Sequence, residues 1–395
     1  MSASGSSFLY GSLRSSSLVT LSFRDHLGRV TGIGRCWACG CGPPCSPGPL
    51  PRRPLRPQTA ALADPAIDRG VPVERHGPNL CLGNGLGPSN PVGLCGRGFA
   101  GSNRFGTAAA VSAWQFAPGV DVVYLATGAN FPDALAGGPV AGINQGPILL
   151  TGSDPGETAA ELTRLKPKRI VILGGTGVIS AADVAALAAF TTGSVERLAG
   201  ADRFATAAAI SASQFVTPGV PVAYVATGAN FPDALAGGPV AALNGGPILL
   251  TNADSIPAAT AAELFRLKPA KIVVLGGTGV VSTTVENLLG LLTTGPVERL
   301  AGPNRIATAA AISASQFSPG VDVVYISTGV NFPDALAGGR VAAINNGPIL
   351  LVTKNSVPAD TAAELARLKP KKIIILGGTG VISPTIENQL ATYIN

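Results

Sequence analysis

Short apolar runs alternate with longer segments of helical spacing from about residue 100 to the end of the chain. In the middle of this region the pattern predicts helices over 206–215, 233–243, 258–267 and 282–292, and strands over 222–226, 247–250, 271–275 and 297–300. The strand runs contain little polar alternation, which is typical of parallel strands buried on both faces. The pattern therefore predicts α/β units with three layers and parallel sheets.

The same order of segments occurs three times. The string Thr-Gly-x-Asn-Phe-Pro-Asp-Ala-Leu-Ala-Gly-Gly begins at Thr127, Thr227 and Thr328, so the period is about a hundred residues. A period of this length makes each copy a small domain and not one turn of a solenoid. We place the copies at 96–196, 197–298 and 299–395, after an irregular tail over 1–95.

The joints between copies are short. Residues 191–196 and 293–298 have neither the length nor the composition of a free linker, so neighbouring copies must touch. Similar joints repeat a similar rotation, which either closes into a ring or continues as an open stack. Neither end of the series has a distinct capping repeat, so we predict a closed monomer with internal pseudo-three-fold symmetry.

The first hundred residues differ in composition from the copies. They are rich in Gly, Pro, Ser and Arg and contain ten arginines and four acids, which accounts for the whole net charge of +6. The copies are neutral, so nucleic acid is not an expected partner. No apolar signal-peptide core and no membrane-spanning segment are evident. Our hypothesis is that this tail is disordered or a misread start of the gene.

Cysteine and histidine occur only in the tail. A Cys-x-x-Cys begins at Cys36, but Cys41 and Cys45 lack the spacing of a second zinc knuckle, so no metal site is expected. Without His or Cys, the copies have no residues for the common nucleophilic dyads. We therefore expect a protein that is not an enzyme and needs no cofactor.

An Asn-x-x-Asp element follows the first strand of each copy. Its members are Asn130 and Asp133, Asn230 and Asp233, and Asn331 and Asp334. The favoured interpretation is a helix cap, with Asn as N-cap and Asp closing a capping box. A compatible alternative is a ligand-binding rim, because open α/β sheets bind ligands at the carboxyl ends of their strands.

A Gly-Gly-Thr-Gly turn follows a later strand in each copy, beginning at Gly174, Gly276 and Gly377. Such turns could cradle a phosphate on backbone amides, but the Gly-x-Gly-x-x-Gly spacing and the P-loop lysine are absent. A tight strand-to-helix turn is the favoured interpretation, and a nucleotide-binding regulator is kept as an alternative.

One arginine stands before an alanine-rich helix in each copy, at Arg104, Arg203 and Arg305. An arginine gains nothing from the dipole at a helix start, so its position needs another explanation. Two remain open: an internal acid such as Glu196 or Glu298, or an anionic ligand held by the planar guanidinium.

Four motifs occur in one order in the copies: Arg-Leu-Ala-Gly-x-Asp/Asn-Arg, Gly-x-Asn-Phe-Pro-Asp-Ala-Leu, Pro-Ile-Leu-Leu and Ile-x-x-Leu-Gly-Gly. In this combination the region from Phe99 to Asn395 resembles the cell wall binding repeat 2 family of Gram-positive surface proteins. The resemblance implies three Rossmann-like units packed as a triangular pseudo-trimer and held non-covalently to anionic polymers of the cell wall at the cell surface. It makes the three arginines, with the nearby asparagines and aspartates, candidate polymer contacts.

Two departures from the repeat pattern accompany the resemblance. Copy one lacks the entering Val-Glu-Arg-Leu segment, and copy three has Arg340 where the others have Pro139 and Pro239. The first leaves one edge of the assembly without its expected strand, and the second predicts unequal sites. Family members often accompany an amidase domain, so a role in peptidoglycan hydrolysis remains an alternative function.

Overall fold

The structure, a computed structural model, describes residues 22–24, 30–33, 99–152, 156–230, 232–330 and 333–395. The chain divides into two units, 1–75 and 76–395. In the first unit, strands β1 (Ser22–Arg24) and β2 (Val30–Ile33) pair antiparallel. The sequence pattern does not predict these two strands. The rest of the tail, with all its cysteines and histidines, lies outside the described residues.

Each copy in the second unit alternates helices and strands. Copy one contains α1 (Arg104–Gln115), β3 (Val123–Thr127), α2 (Pro132–Ile143), β4 (Ile148–Thr151), α3 (Gly156–Leu165), β5 (Ile170–Leu173), α4 (Ala181–Leu187) and β6 (Val195–Leu198). Copy two contains α5 (Arg203–Gln214), β7 (Ala223–Thr227), α6 (Pro232–Leu243), β8 (Ile248–Thr251), α7 (Ala258–Leu267), β9 (Ile272–Leu275), α8 (Thr283–Leu289) and β10 (Val297–Leu300). Copy three contains α9 (Arg305–Gln316), β11 (Val324–Thr328), α10 (Pro333–Ile344), β12 (Ile349–Val352), α11 (Ala359–Leu368), β13 (Ile373–Ile375) and α12 (Pro384–Ala391).

The predicted elements of copy two agree with the observed ones to within three residues. The largest difference at a helix start is at α5, which begins at Arg203 because the Asp202 side chain caps it by accepting from the Ala205 amide at 2.8 Å. Ser180 and Ser282 cap α4 and α8 in the same way.

The sheets are parallel, with strand orders β4-β3-β5-β6, β8-β7-β9-β10 and β12-β11-β13. Successive side chains of a strand point to opposite faces. Tyr124 and Ala126 of β3 join a core shared by all three copies, whereas Val123 and Leu125 join a separate core beneath α3 and α4. The sheets of copies one and two therefore each have an inner face toward the shared core and an outer face with a core of its own, whereas both faces of the copy-three sheet join the shared core.

The last strands of the first two sheets lead into the following copies. β6 and β10 complete the sheets of copies one and two, so the predicted boundaries after 196 and 298 fall inside these strands. The edge of the copy-three sheet is completed by Phe99, at the start of copy one. There the Phe99 amide donates to Ile375 O at 3.0 Å, and Phe99 O accepts from the Gly377 amide at 3.1 Å. The missing entering segment is thus replaced by a shorter bridge at Phe99.

The three copies close into a ring. Helices α2, α6 and α10 pack against one another, and each also contacts the first helix of the next copy, in the pairs α2–α5, α6–α9 and α10–α1. This cyclic set of contacts confirms the predicted closed arrangement of three Rossmann-like units.

Small residues occupy the pseudo-three-fold axis. Gly142, Ala242 and Ala343 stand at equivalent positions of the central helices. A Cβ atom added at Gly142 would lie 2.5 Å from the Ala242 Cβ and 4.0 Å from the Ala343 Cβ. The central helices can approach this closely only because these three side chains are small.

One hydrogen-bonded bridge recurs at each contact between copies. An asparagine at the end of a central helix donates to a glutamine at the end of the next copy's first helix: Asn144 to Gln214 at 2.7 Å, Asn244 to Gln316 at 3.0 Å and Asn345 to Gln115 at 3.1 Å. The same amides donate to the hydroxyls of Tyr124, Tyr224 and Tyr325 at 2.8–3.0 Å. Three matched bridges show that the contact between copies three and one repeats the other two.

The seam between copies three and one also has contacts of its own. Trp114 stands where the other copies have Ser213 and Ser315, and its ring packs against Phe99 at a centroid distance of 4.8 Å. Lys372 lies over the same indole at 5.4 Å. The equivalent Lys271 instead pairs with Glu298 at 3.1 Å. At the seam, an aromatic contact therefore takes the place of an ion pair.

We expect the substitution Gly142→Ala to destabilise the protein, because its new methyl group would overlap Ala242 at the axis. Overpacking of this kind costs about 1–3 kcal/mol. Gly138→Ala, in the same helix, is the matched control because a Cβ there meets nothing within 4 Å. Urea unfolding of both variants measures the effect. Equal stability of the two variants would contradict close packing at the axis.

Candidate functional site

Three equivalent groups of polar side chains, which we call the arginine clefts, lie between neighbouring copies at the carboxyl ends of the parallel strands. Each cleft begins at the loop after the first strand of a copy. The threonine that ends this strand shapes the loop by accepting a backbone N–H two residues on, in Thr127–Ala129, Thr227–Ala229 and Thr328–Val330, each at 3.2 Å. The loop then enters a central helix, whose first turn carries the repeated aspartate.

The repeated arginines stand at the first residue of α1, α5 and α9, directly after capping residues Asn103, Asp202 and Asn304. Each arginine donates from Nη1 to the carbonyl of the glycine in the loop of its own copy: Arg104 to Gly128 at 2.5 Å, Arg203 to Gly228 at 2.5 Å and Arg305 to Gly329 at 2.7 Å. All three side chains remain exposed. The backbone bond thus fixes the guanidinium at the surface in one pose.

The two acids suggested as internal partners bind elsewhere. Glu196 pairs with Arg169 at 3.5 Å, and Glu298 pairs with Lys271 at 3.1 Å. Both glutamates lie on edge strands and pair across the sheet with the start of the neighbouring strand. Glu196 and Glu298 are therefore the wrong residues for the predicted internal acid, although each arginine does have an acid of the chain near it, the repeated aspartate.

The repeated aspartates face arginines of the next copy. The positive charge of Arg203 acts on Asp133, that of Arg305 on Asp233, and that of Arg104 on Asp334. Each cleft therefore combines an aspartate of one copy with the arginine of the copy that follows, and the third cleft joins copies three and one. The sequence motifs give no sign of this pairing across copies.

Burial dominates the electrostatics of these aspartates. It raises the pKa of Asp133 and Asp334 above the usual range, and the neighbouring arginine opposes the shift. The pKa of Asp233 rises to about 6, again because burial penalises its charged form more than Arg305 favours it. Asp233 is only 8% exposed, and its Oδ1 has no hydrogen-bond partner among the described residues.

A threonine that sequence reasoning did not single out lies one helical turn after the arginine in each copy. Thr107 follows Arg104 by three residues, and Thr206 and Thr308 stand at the same spacing in the other copies. Each hydroxyl accepts from the amide of the glycine six residues earlier, Gly101, Gly200 or Gly302, at 3.0–3.1 Å. The Thr107 hydroxyl also donates to Asp334 and lowers the pKa of that carboxyl. The recurrence of Arg-x-x-Thr in all copies is the signal that could have revealed it.

The predicted capping box of Asn130 and Asp133 is absent from the start of α2. α2 begins at Pro132, its N-cap is Phe131, and no side chain caps it. Proline presets the helical backbone dihedral and has no N–H to satisfy, so the helix starts one residue later than an Asn130 cap requires. Asn130 and Asn230 are exposed beside the clefts. Asn331 lies outside the described residues.

The aspartates contact the glycine turns instead. Gly174, Gly276 and Gly377 have φ of 112°, 109° and 108°, and a Cβ on any of them would lie 2.5–2.7 Å from the Oδ2 of the aspartate in the same copy. Each of these glycine amides donates to the edge strand, to Leu198, Leu300 or Phe99, at 2.9–3.1 Å. The turns are therefore tight strand-to-helix connections, as favoured from the sequence.

Other kinds of site have no counterpart in the part of the chain that the structure describes. No group of three His, Cys, Asp or Glu side chains there could hold a metal ion. No described helix has the length and hydropathy needed to cross a bilayer. The chemistry at the clefts is that of guanidinium, carboxyl, hydroxyl and amide groups.

The described part of the second unit is a closed ring of three Rossmann-like units with the same arginine contact in each copy. The chain belongs to the cell wall binding domain 2 family, whose model matches residues 99–184, 197–286 and 299–387. The three matches coincide with the three copies. Membership of this family indicates association with the cell wall.

Two curated relatives come from Bacillus subtilis (strain 168). The chain is 32% identical to N-acetylmuramoyl-L-alanine amidase LytC over 292 residues, 73% of this chain and 57% of that protein. It is 32% identical to the protein called Amidase enhancer over 295 residues, 74% of this chain and 40% of that protein. The chain thus spans about half the length of these relatives.

Solved structures agree with the fold. Cwp6 from Clostridium difficile superimposes with a TM-score of 0.71 at 25% identity, over 77% of this chain and 48% of that chain. Cwp8 from the same organism superimposes with a TM-score of 0.67 at 29% identity, over 77% of this chain and 52% of that chain.

We expect Asp233→Asn to stabilise the protein at pH 7.5. A carboxyl with a folded pKa of about 6 and an ordinary value of 3.8 binds more protons when folded, so the stability of the wild type falls as the pH rises through 4 to 6. About two pKa units correspond to roughly 3 kcal/mol at most, and the gain should vanish near pH 4. Urea unfolding at both pH values measures it.

Asp121→Asn is the matched control for this experiment. Asp121 is exposed, and its hydrogen bond and ion pair with Lys168 lower the pKa of its carboxyl, so its replacement should bring no gain at pH 7.5. A lower stability of Asp233→Asn than of the wild type at pH 7.5 would show that the charged carboxylate is favoured in the fold.

Proposed function

We propose that this chain attaches a protein non-covalently to the bacterial cell wall by binding anionic wall polymers in its three clefts. The observation that carries the proposal is the exposed arginine held in the same pose in every copy. It is supported by membership of a family of cell wall binding domains. The proposed location is the cell wall at the extracellular surface, and the partner is an acidic polysaccharide or a teichoic-acid-like polymer.

The arrangement of the arginines suits an anion. A guanidinium presents several N–H donors in a planar fork that matches carboxylate and phosphate oxygens. Its Nη1 bond to the loop carbonyl orients that plane before a ligand arrives. Less conformational entropy is then lost on binding, which favours affinity. Exposure of the side chain leaves room for a long polymer to pass.

The other groups of each cleft have supporting roles in this proposal. The exposed amides of Asn130 and Asn230 would bond polymer hydroxyl groups. We propose the same role for Asn331, which stands at the same place in its motif. The aspartates Asp133, Asp233 and Asp334 would position the arginine of the next copy and the glycine turn.

Three clefts on one rigid ring favour a repeating ligand. When one cleft holds a segment of the polymer, the neighbouring segments stay at high local concentration for the other two. Linked sites of this kind gain overall affinity without any new contact. A wall polymer with regularly spaced negative charges meets this requirement, whereas a single small anion would not.

Peptidoglycan hydrolysis remains the alternative suggested by the relatives' names. The matched region covers 57% of the amidase LytC and 40% of the Amidase enhancer, so those names describe longer proteins. We propose that the copies supply attachment and do not catalyse. A zymogram of the purified chain on peptidoglycan distinguishes the two, and a clear lysis band would overturn the non-catalytic assignment.

A nucleotide-binding role finds less support at the glycine turns. A phosphate cradle needs free backbone amides, but the first glycine amide of each turn is bonded to an edge strand. The aspartate oxygen beside each turn would also repel a phosphate.

We expect the triple substitution Arg104→Ala, Arg203→Ala and Arg305→Ala to weaken binding to purified cell walls. Each charge-assisted hydrogen bond contributes about 1.5–3 kcal/mol, so each lost contact should lower affinity roughly tenfold or more. Added salt should weaken binding of the wild type because it screens the attraction between charges. The measurement is sedimentation with walls before and after removal of their anionic polymers.

The control is a triple substitution with the same loss of charge, Lys166→Asn, Lys268→Asn and Lys369→Asn. These exposed lysines follow the outer helices α3, α7 and α11 in left-handed conformation, which asparagine tolerates. This control should bind walls as the wild type does. Equal binding by the arginine variant and the control would refute a role for the clefts.

A further inference from the structure

Residues that differ between the copies either serve the closed ring or face outward. Arg340 of copy three serves the ring: it is buried, its Nε donates to Gly146 O at 3.0 Å, and its guanidinium lies 5.5 Å from the centre of the Phe116 ring. Both partners belong to copy one, so this side chain crosses the seam between copies three and one. Copy two has its own differences on its outer layer, where they cannot serve ring closure.

An exposed apolar patch distinguishes this outer layer of copy two. It consists of Val216, Phe265, Leu288 and Leu291, which are 72%, 71%, 43% and 80% exposed. The equivalent positions of copies one and three hold small or polar residues: Thr163 and Ala366 for Phe265, and Ala189 and Thr392 for Leu291. Large apolar side chains that are exposed together mark an interaction surface, because burying them against a partner is favourable.

The four side chains of the patch stand at neighbouring helix ends. Val216 follows α5, and its carbonyl accepts from Nη1 of Arg266, the residue after Phe265, at 3.2 Å. Both leucines of the patch lie at the end of α8, just before Thr293, whose hydroxyl donates to Pro269 O at 2.8 Å. Pro269 follows the end of α7 by two residues. The end of α7, with Phe265, therefore lies beside the ends of both α5 and α8.

The exposed face of α7 is apolar along its length. Ala258, Ala262 and Phe265 have the i, i+4, i+7 spacing of one helix face, and all three are exposed. The two alanines leave a flat surface at the start and middle of the helix, and the aromatic ring stands above it at the end. When two such helices pack antiparallel, the ring of each lies on the alanines of the other.

Two charges at opposite ends of α7 complement this arrangement. Asp254 precedes the helix, Lys268 follows its last residue, and both are exposed. Neither takes part in an ion pair found in the described part of the chain. An antiparallel pair of helices brings Asp254 of each chain near Lys268 of the other. Copy three has Asn355 in place of Asp254, so its outer layer lacks this complementarity.

We propose that the outer layer of copy two binds a second copy of this chain, with the two α7 helices antiparallel about a two-fold axis. A two-fold contact uses the same surface on both chains, and the patch occurs once in each chain, so association ends at a dimer. Buried aromatic side chains carry much of the binding energy of such interfaces. Each chain keeps its closed ring, and the proposal replaces only the expected monomeric state.

The test is sedimentation velocity of the full chain, without cell walls, from about 1 µM to about 200 µM, which covers weak and moderate association. We expect the wild type to shift from monomer towards dimer over this range. Phe265→Thr introduces the residue of copy one at an exposed position, so the fold and the Tm should not change. Loss of the two aromatic contacts should raise the dissociation constant of the dimer about tenfold or more.

Charge reversal tests the antiparallel arrangement. Asp254→Lys or Lys268→Asp alone places like charges next to each other across the axis and should weaken the dimer several-fold. The two substitutions together restore both pairs and should recover it. Lys369→Asp is the matched control, because it makes the same change at the equivalent left-handed position of copy three, outside the patch. Reversal is used because the loss of a single exposed ion pair has little effect.

Four outcomes would overturn the proposal: a wild type that stays monomeric at the highest concentration, assemblies larger than a dimer, equal dimerisation of Phe265→Thr and the wild type, or no recovery in the doubly reversed variant. None of these outcomes bears on wall binding. The patch lies at helix ends that precede strands β7, β9 and β10, at the edge of the sheet opposite the arginine clefts.

Discussion

The contact of α2, α6 and α10 at the pseudo-three-fold axis is the constraint on which the rest of the structure depends. It requires small residues where the helices meet, at Gly142, Ala242 and Ala343. Since the inner faces of all three sheets pack around these helices, the copies share one hydrophobic core and are not independent domains. The clefts depend on the same contact, because each one combines an aspartate of one copy with an arginine of the next.

Most of the fold could be predicted from the sequence because its local signals agree with one another. Continuous apolar runs marked the buried strands, and helix α7 and strand β10 were predicted with their observed bounds. The errors arose where two local signals competed. At α2, the proline at the first helical position outweighed the asparagine before it, so the helix starts at Pro132 and Asp133 contacts the glycine turn.

Sequence reasoning singled out the arginines and aspartates of the candidate site but not the way in which they come together. Repetition alone singled out Arg203 and Asp133, yet no local pattern shows that residues seventy positions apart meet across two copies. The same limit applies to Phe99, which completes a sheet whose other strands begin at Val324. Long-range contacts of this kind follow from ring closure, and therefore depend on the crossing of the central helices and not on any motif.

Ring closure also accounts for where the copies differ. Copies one and two, and copies two and three, are joined directly by edge strands β6 and β10, whereas copies three and one meet without a short tether. Bringing ends together over a long chain costs entropy that further contacts must offset. Trp114 and Arg340 are unlike their counterparts, Lys372 makes a contact that Lys271 does not make, and all three act at this seam. The asymmetry of a nearly symmetric ring is thus concentrated at the one contact that the chain's connectivity does not enforce.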